Sequence, residues 1–215
     1  MTYLENLLST DCETVCETKK IFFGGKIKMA QDLKVLKKDL DIRIVNIVVS
    51  TSLDHDIPLE KMAATLSNTE YNPEQFPGLV IRIKEPKTSA LIFSSGNVVS
   101  TGAKSLEEVR QSLNKIKETL KKINITITIE PEINIQNMVA SGSIGMDLNL
   151  NTLAMKLDNT EYEPEQFPGL VYKLAKAKAT FLLFSNGKIV CTGTKSEEAV
   201  YKAVHMLIDI LKNLK

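Results

Sequence analysis

Four residue pairs recur in the same order at a spacing of 91 positions: Asn46 with Asn137, Phe76 with Phe167, Phe93 with Phe184, and Thr101 with Thr192. Amides, hydroxyls and phenyl rings are tools of non-covalent recognition, supplying donors, acceptors and large apolar bodies. Groups for covalent chemistry are missing from the duplicated set. No Ser-His-Asp arrangement, paired carboxylate or glycine-rich phosphate loop repeats, and His55 and His205 do not correspond. TGAKS and TGTKS lack the strand and GxxxxGK context of a phosphate loop and read as a strand end followed by a helix cap. Cys12 and Cys16 have no cluster of further thiols or imidazoles to complete a zinc site. The expectation is a binding protein with no enzymatic activity, no metal and no cofactor.

The elements that position these residues come from a duplication. Residues 68–80 read NTEYNPEQFPGLV and residues 159–171 read NTEYEPEQFPGLV. Laying Ile42–Asn124 over Ile133–Lys215 without a gap gives 36 identities in 83 positions. That period exceeds the roughly 20 to 50 residues of solenoid repeats, so two domain-sized halves are expected. Ile47 against Met138, Ile92 against Leu183 and Val98 against Ile189 exchange one apolar residue for another, as core positions do.

Within each half, periodicity gives strand, helix, four strands, helix. Asp41–Thr51 is a β-branched strand, and Pro58 opens the short helix LEKMAATL. Residues 69–71, 79–84, 89–93 and 98–102 are strand-like, punctuated by NPEQFPG, EPK and SSGN. Ser105–Lys122 and Ser196–Leu214 have serine caps, acid in the first turn and helical apolar spacing. With helices on one side of the sheet, Ala90 and Ile92 point to them, and Ser89, Leu91 and Phe93 point away. Asn46, Val48, Ser50, Val80, Arg82, Lys84, Asn97, Val99 and Thr101 share the uncovered face. An open face of Val, Leu and Phe beside Asn and Thr is a binding surface.

Composition narrows the class. Of 215 residues 43% are hydrophobic and 25% charged, and no run approaches the roughly 18 apolar residues of a membrane span. Three cysteines, at 12, 16 and 191, suit a reducing cytoplasm better than a disulfide framework. Net charge is +1, with 11 basic and 11 acidic side chains in residues 41–130 and 9 of each in 131–215. A protein that held nucleic acid chiefly by neutralising phosphates would be more basic, so nucleic-acid binding here must rest on something besides bulk charge.

The blocks YNPEQFPGLVIRIKEPKTSALIFSSGNVVSTGAKS and YEPEQFPGLVYKLAKAKATFLLFSNGKIVCTGTKS resemble the two signature blocks of the TATA-box-binding protein family, in its archaeal form, over residues 41–215. The resemblance implies an α+β fold: a pseudo-two-fold duplicated saddle with a ten-stranded curved antiparallel sheet and four helices on its convex face. Residues 41–130 would be the first repeat and 131–215 the second. It implies a general transcription initiation factor that binds the TATA-box element in the DNA minor groove, bends the duplex, and recruits transcription factor B and, indirectly, RNA polymerase. Phe76 with Phe93 and Phe167 with Phe184 would wedge into base steps. Val48, Leu91, Val99, Val139, Leu182 and Val190 would lie on base edges, with Asn46, Thr101, Asn137 and Thr192 donating near the pseudo-dyad. Arg82, Lys84, Lys87, Lys173, Lys176, Lys178 and Lys188 would meet phosphates. Glu163 and Glu165, on the outer edge of the second loop, would meet transcription factor B.

Chemistry agrees with these roles, because A·T pairs offer the minor groove only acceptors and lack the guanine amino group that obstructs a flat apolar surface. Flexible pyrimidine-purine steps unstack at least cost around an apolar wedge. Three positions depart from the family pattern: Lys173 where arginine is usual, Asn97 for lysine, and Ala177 opposite Pro86. Lysine offers a point charge in place of a fork, so phosphate contact weakens there. The protein would be a monomer on DNA, with homodimerisation through the apolar face open for the free molecule. A cytoplasmic, nucleoid-associated location is implied for an archaeal chain, and a nuclear one for a eukaryotic chain. The alternative is an adaptor of the same fold that uses the sheet for protein; all four phenylalanines and both asparagines argue against it. Residues 1–40 lie outside the repeat. Gly24-Gly25-Lys26-Ile27-Lys28-Met29 is what a ribosome-binding site and start codon would encode, so Met29 is expected as the initiator and 1–28 as leader.

Overall fold

The structure, a computed structural model, describes residues 40–214. The expected initiator Met29, the leader and Cys12 and Cys16 lie outside the described residues. The elements follow the duplicated order: β1 (Asp41–Ser52), α1 (Leu59–Thr65), β2 (Thr69–Glu70), β3 (Gly78–Ile83), β4 (Thr88–Phe93), β5 (Asn97–Ala103), α2 (Leu106–Lys121), then β6 (Asn134–Ser143), α3 (Leu150–Lys156), β7 (Thr160–Glu161), β8 (Leu170–Leu174), β9 (Ala179–Leu183), β10 (Lys188–Thr194) and α4 (Glu197–Asn213). The strands form one antiparallel sheet in the order β2-β3-β4-β5-β1-β6-β10-β9-β8-β7, open at β2 and β7.

The halves meet through β1 and β6, where Ile47 pairs with Met138. These residues are 91 apart, so the local two-fold axis of the duplication passes through this pair. Period-two alternation is reversed in both central strands by a β-bulge. The register slips between Ile44 and Asn46 and between Val48 and Val49, leaving Val45 and, on the partner strand, Gln136 outside the ladder. Ile42 is therefore buried before the bulge, and Ile47 and Val49 after it. An uninterrupted alternation, as the sequence suggests, would have turned one of these sets to solvent.

Caps fix the long helices. Ser105 Oγ accepts the amide of Glu108 at 3.1 Å, Glu108 Oε2 accepts the amide of Lys104 at 2.8 Å, and Ser196 Oγ accepts the amide of Ala199 at 3.1 Å. Val109, Leu113, Ile116 and Leu120 of α2, which packs on β1 and β5, and Val200, Val204, Leu207 and Leu211 of α4, which packs on β6 and β10, are buried, as are Leu79, Ile81, Ile92, Val98, Leu170, Phe181, Leu183 and Ile189 of the strands. Burying such a side chain contributes about 1.5–3 kcal/mol each, which fixes one face of the sheet as the core face. Tyr201 Oη on α4 donates to the carbonyl of Ile42 at 2.9 Å, tying the second-half helix to the first-half strand. The Cys191 thiol on β10 is buried, and desolvation pushes its pKa up to about 12, so it behaves as a core residue. No helix among the described residues is long and apolar enough to cross a membrane.

Candidate nucleic-acid interface

The opposite face is built from residues that alternate with the core. Cross-strand pairing lines up Glu70, Val80, Leu91, Val99 and Ser50 in one rung, and Glu161, Val171, Leu182, Val190 and Ser141 in its counterpart. The valines and leucines of both rungs are half-buried although no helix among the described residues covers them. At the centre Asn46 lies opposite Val139 and Asn137 opposite Val48. The sequence places Val48, Leu91, Val99, Val139, Leu182 and Val190 on this face, and so does the structure. Val80 and Val171 extend both rungs and are absent from the expected base-edge set; their identity in the two halves was the signal.

The asparagine side chains are oriented by backbone. Bulges at Thr101–Gly102 and Thr192–Gly193 take each glycine out of the ladder with β1 or β6. An amide freed this way needs a partner, and Asn46 Oδ1 accepts from Gly102 N at 2.7 Å and from Thr101 Oγ1 at 3.2 Å. Asn137 Oδ1 accepts from Gly193 N at 2.8 Å, and its Nδ2 lies 3.0 Å from Thr192 Oγ1. With each Oδ1 held by an N–H, the capacity left at the centre lies with the amino hydrogens, of which Asn137 gives one to Thr192 Oγ1, so the centre presents donors. Gly102 and Gly193 sit at φ +101° and +94°, and a Cβ there would meet Lys87 O at 3.0 Å or Lys178 O at 2.9 Å.

The phenylalanines form two matched pairs. Phe76 and Phe93 have centroids 6.0 Å apart with planes at 58°, and Phe167 and Phe184 are 6.0 Å apart at 66°. Both geometries favour the electrostatics of aromatic contact. Phe76 is 46% exposed and Phe167 45%, unusual for the largest apolar side chain of a loop. The turn before each ring is closed by a backbone bond, from Phe76 N to Asn72 O and from Phe167 N to Glu163 O, both 2.9 Å. Gly78 and Gly169 make room for the rings: a Cβ would stand 2.8 Å from Phe76 Cε1 in one half and 2.6 Å from Phe167 Cε1 in the other.

The sheet rim is less uniformly basic than the sequence suggests. Arg82 spans both oxygens of Glu70, with Nε and Nη2 each donating at 3.2 Å, and Lys173 Nζ donates to Glu161 Oε1 at 2.9 Å. Lys84, Lys87, Lys176, Lys178 and Lys188 are exposed, and the described residues show no ion pair for them. Glu163 and Glu165 are exposed on the second-half loop, away from the rungs. No group of three or more His, Cys, Asp or Glu among the described residues could hold a metal.

The sequence profile of the family described as "Transcription factor TFIID (or TATA-binding protein, TBP)" matches residues 41–123 and again 132–214. The chain belongs to the TATA-binding protein family. It is 50% identical over 170 residues to the TATA-box-binding protein of Thermococcus kodakarensis, covering 79% of this chain and 90% of the relative. Identity to that of Methanocaldococcus jannaschii is 50% over 174 residues, covering 81% and 95%. The solved structure titled "Methanococcus jannaschii TBP" superposes with a TM-score of 0.76 at 50% identity, covering 80% of this chain and 99% of that one. The fold expected from the sequence, a duplicated ten-stranded open sheet with four helices, is thus the TATA-binding protein fold.

The four glycines of the face divide by what their Cβ would strike. Gly102→Ala and Gly193→Ala meet backbone in the left-handed region, and each is expected to cost about 1–3 kcal/mol in chemical denaturation. Gly78→Ala and Gly169→Ala meet side chains and no backbone, Phe76 and Leu91 in one half and Phe167, Phe184 and Leu182 in the other, and should stay within about 1 kcal/mol of wild type. Equal losses at all four positions would contradict this assignment.

Proposed function

We propose that this protein is a transcription initiation factor that binds TATA-type promoter DNA in the minor groove through the open sheet face and passes the complex to transcription factor B. Family membership supports the coarser reading, a TATA-binding transcription factor and not an enzyme. One observation carries the finer one: in each half an aromatic pair with one exposed ring stands beside a rung of valine and leucine, with the asparagine amides near the dyad between the halves.

Each part has a task in this account. The valines and leucines lie against the groove floor, which in A·T sequence carries no amino group to clash with them. Asn46 and Asn137, their oxygens occupied, donate Nδ2 hydrogens to adenine N3 or thymine O2, with Thr101 and Thr192 beside them. The Phe76–Phe93 and Phe167–Phe184 pairs enter base steps at the two ends, and unstacking opens the groove so that more of the sheet is covered. Lys84, Lys87, Lys178 and Lys188 reach the flanking phosphates. Glu163 and Glu165 form an acidic outer loop for transcription factor B, which connects the complex to RNA polymerase. Glu163 is Asn72 in the first half, so the two loops differ in charge and the complex has a direction.

A competition gel shift between a TATA duplex and its GC-substituted counterpart tests the DNA reading. Wild type should prefer TATA by at least about a hundredfold, since each mismatched pair costs about 1–3 kcal/mol. Phe76→Ala with Phe167→Ala should lose most of that preference while keeping the thermal midpoint. Equal affinity of wild type for both duplexes would favour a sheet face used for protein. For the outer loop, Glu163→Lys with Glu165→Lys should bind TATA DNA as wild type does and fail to supershift with transcription factor B; a normal supershift removes that role.

A further inference from the structure

The first element of each edge hairpin carries a carboxylate onto the recognition face. Glu70 pairs with Val80 in the register of β2 and β3, and Glu161 with Val171 in that of β7 and β8, so each glutamate ends an otherwise uncharged rung at the edge of the sheet. Strands are spaced about 4.8 Å apart, which sets Glu70 about 10 Å from Leu91 across the sheet. If Leu91 and Val99 meet the groove floor, that distance puts the carboxylate under a sugar-phosphate strand. An anion at such a place repels DNA unless its charge is cancelled.

Each glutamate is cancelled by a cation that would otherwise hold phosphate. Glu70 holds Arg82 through two bonds at 3.2 Å and Glu161 holds Lys173 at 2.9 Å. The cation differs between the halves while the carboxylate is the same, which places the requirement on the anion. The pairs are not needed to fasten the edge strands, because backbone does that. Arg82 N donates to Asn68 O at 3.0 Å, Lys173 N donates to Asn159 O at 3.0 Å, and Asn68 Nδ2 donates to Arg82 O at 2.8 Å. Side chains 65% and 66% exposed in the first pair, and 58% and 70% in the second, give ion pairs of little worth to stability.

We infer that Glu70 and Glu161 are built-in phosphate surrogates that hold down the ionic part of DNA binding. A closed pair is neutral and contributes no phosphate contact; an opened pair gains one contact and leaves a carboxylate facing the same strand. Either way two of the rim cations release no DNA counter-ions in net terms. Affinity is thereby shifted from the phosphate backbone, which every sequence shares, to the apolar floor, where A·T and G·C differ. The inference rests on the DNA-binding reading above.

Fluorescence anisotropy of TATA and GC-substituted duplexes in KCl from about 50 to 200 mM separates the two. Wild type is expected to show a log affinity against log salt slope of about −2 to −5, from a handful of phosphate contacts. Glu70→Gln with Glu161→Gln frees two cations, steepening the slope by about 1.8, at about 0.9 per phosphate. Over that fourfold salt range the variant gains about twelvefold at the low end relative to the high end on both duplexes. Glu70→Asp with Glu161→Asp keeps the charge and should keep the wild-type slope, and all variants should keep the thermal midpoint. An unchanged slope in the Gln variant overturns the inference, as does a slope change shared by the Asp variant or one accompanied by lost stability. Failure of wild type to prefer TATA defeats the DNA reading itself, and is seen in a different arm.

Discussion

A sheet of ten strands has two faces, and helices among the described residues cover only one. The helices α2 and α4 bury their apolar stripes against one side, and the other keeps two rungs of valine and leucine half-exposed. Leaving that much hydrocarbon uncovered costs free energy at about 25 cal/mol per Å², so the face is stable as built only because the helix side is densely packed. The remaining features follow from keeping this face smooth and uncharged in its middle. Glu70 and Glu161 stand at the edges in closed pairs with Arg82 and Lys173, the freed amides of the bulges are taken by asparagine, and Phe76 and Phe167 are raised on turns.

Duplication makes the face twice as long without a second design. The Ile47–Met138 pair joins equivalent residues across the axis, and the bulges at Val45 and Gln136 are the same device used in both halves. Identity is not complete: 36 of the 83 matched positions carry the same residue. Asn72 and Glu163, Arg82 and Lys173, Asn97 and Lys188, and Arg110 and Tyr201 occupy matched positions with different charge or reach. Of these, Tyr201 has an internal use as the tether to Ile42. On the proposed reading the others give a nearly symmetric clamp an orientation on nearly symmetric DNA.

Much of this was legible in the sequence, because internal duplication separates positions that need only apolarity from those that need one side chain. The strand and helix spans and the core face of β4 follow from pattern alone, and the aromatic pairs from the family resemblance. What pattern could not give was register. A bulge adds one residue without a compositional mark, so the reversal of alternation between Ile42 and Ile47 is visible only once β1 lies against β6. The same limit hid the orientation of Asn46 and Asn137, which depends on glycine amides 56 residues away in chain. Charge pairing was hidden too: Arg82 and Lys173 look like free rim cations until the edge strands bring Glu70 and Glu161 beside them.

The claim on which the account turns is mechanical, that paired rings prise open base steps at both ends of the site. Circular-permutation electrophoresis of a TATA duplex measures it most directly. Bound by wild type, the complex should migrate differently as the site moves from the end of the fragment to its centre. With Phe76→Ala and Phe167→Ala that dependence should shrink toward that of a straight complex. Tight, TATA-specific binding by wild type with mobility independent of site position would contradict the account.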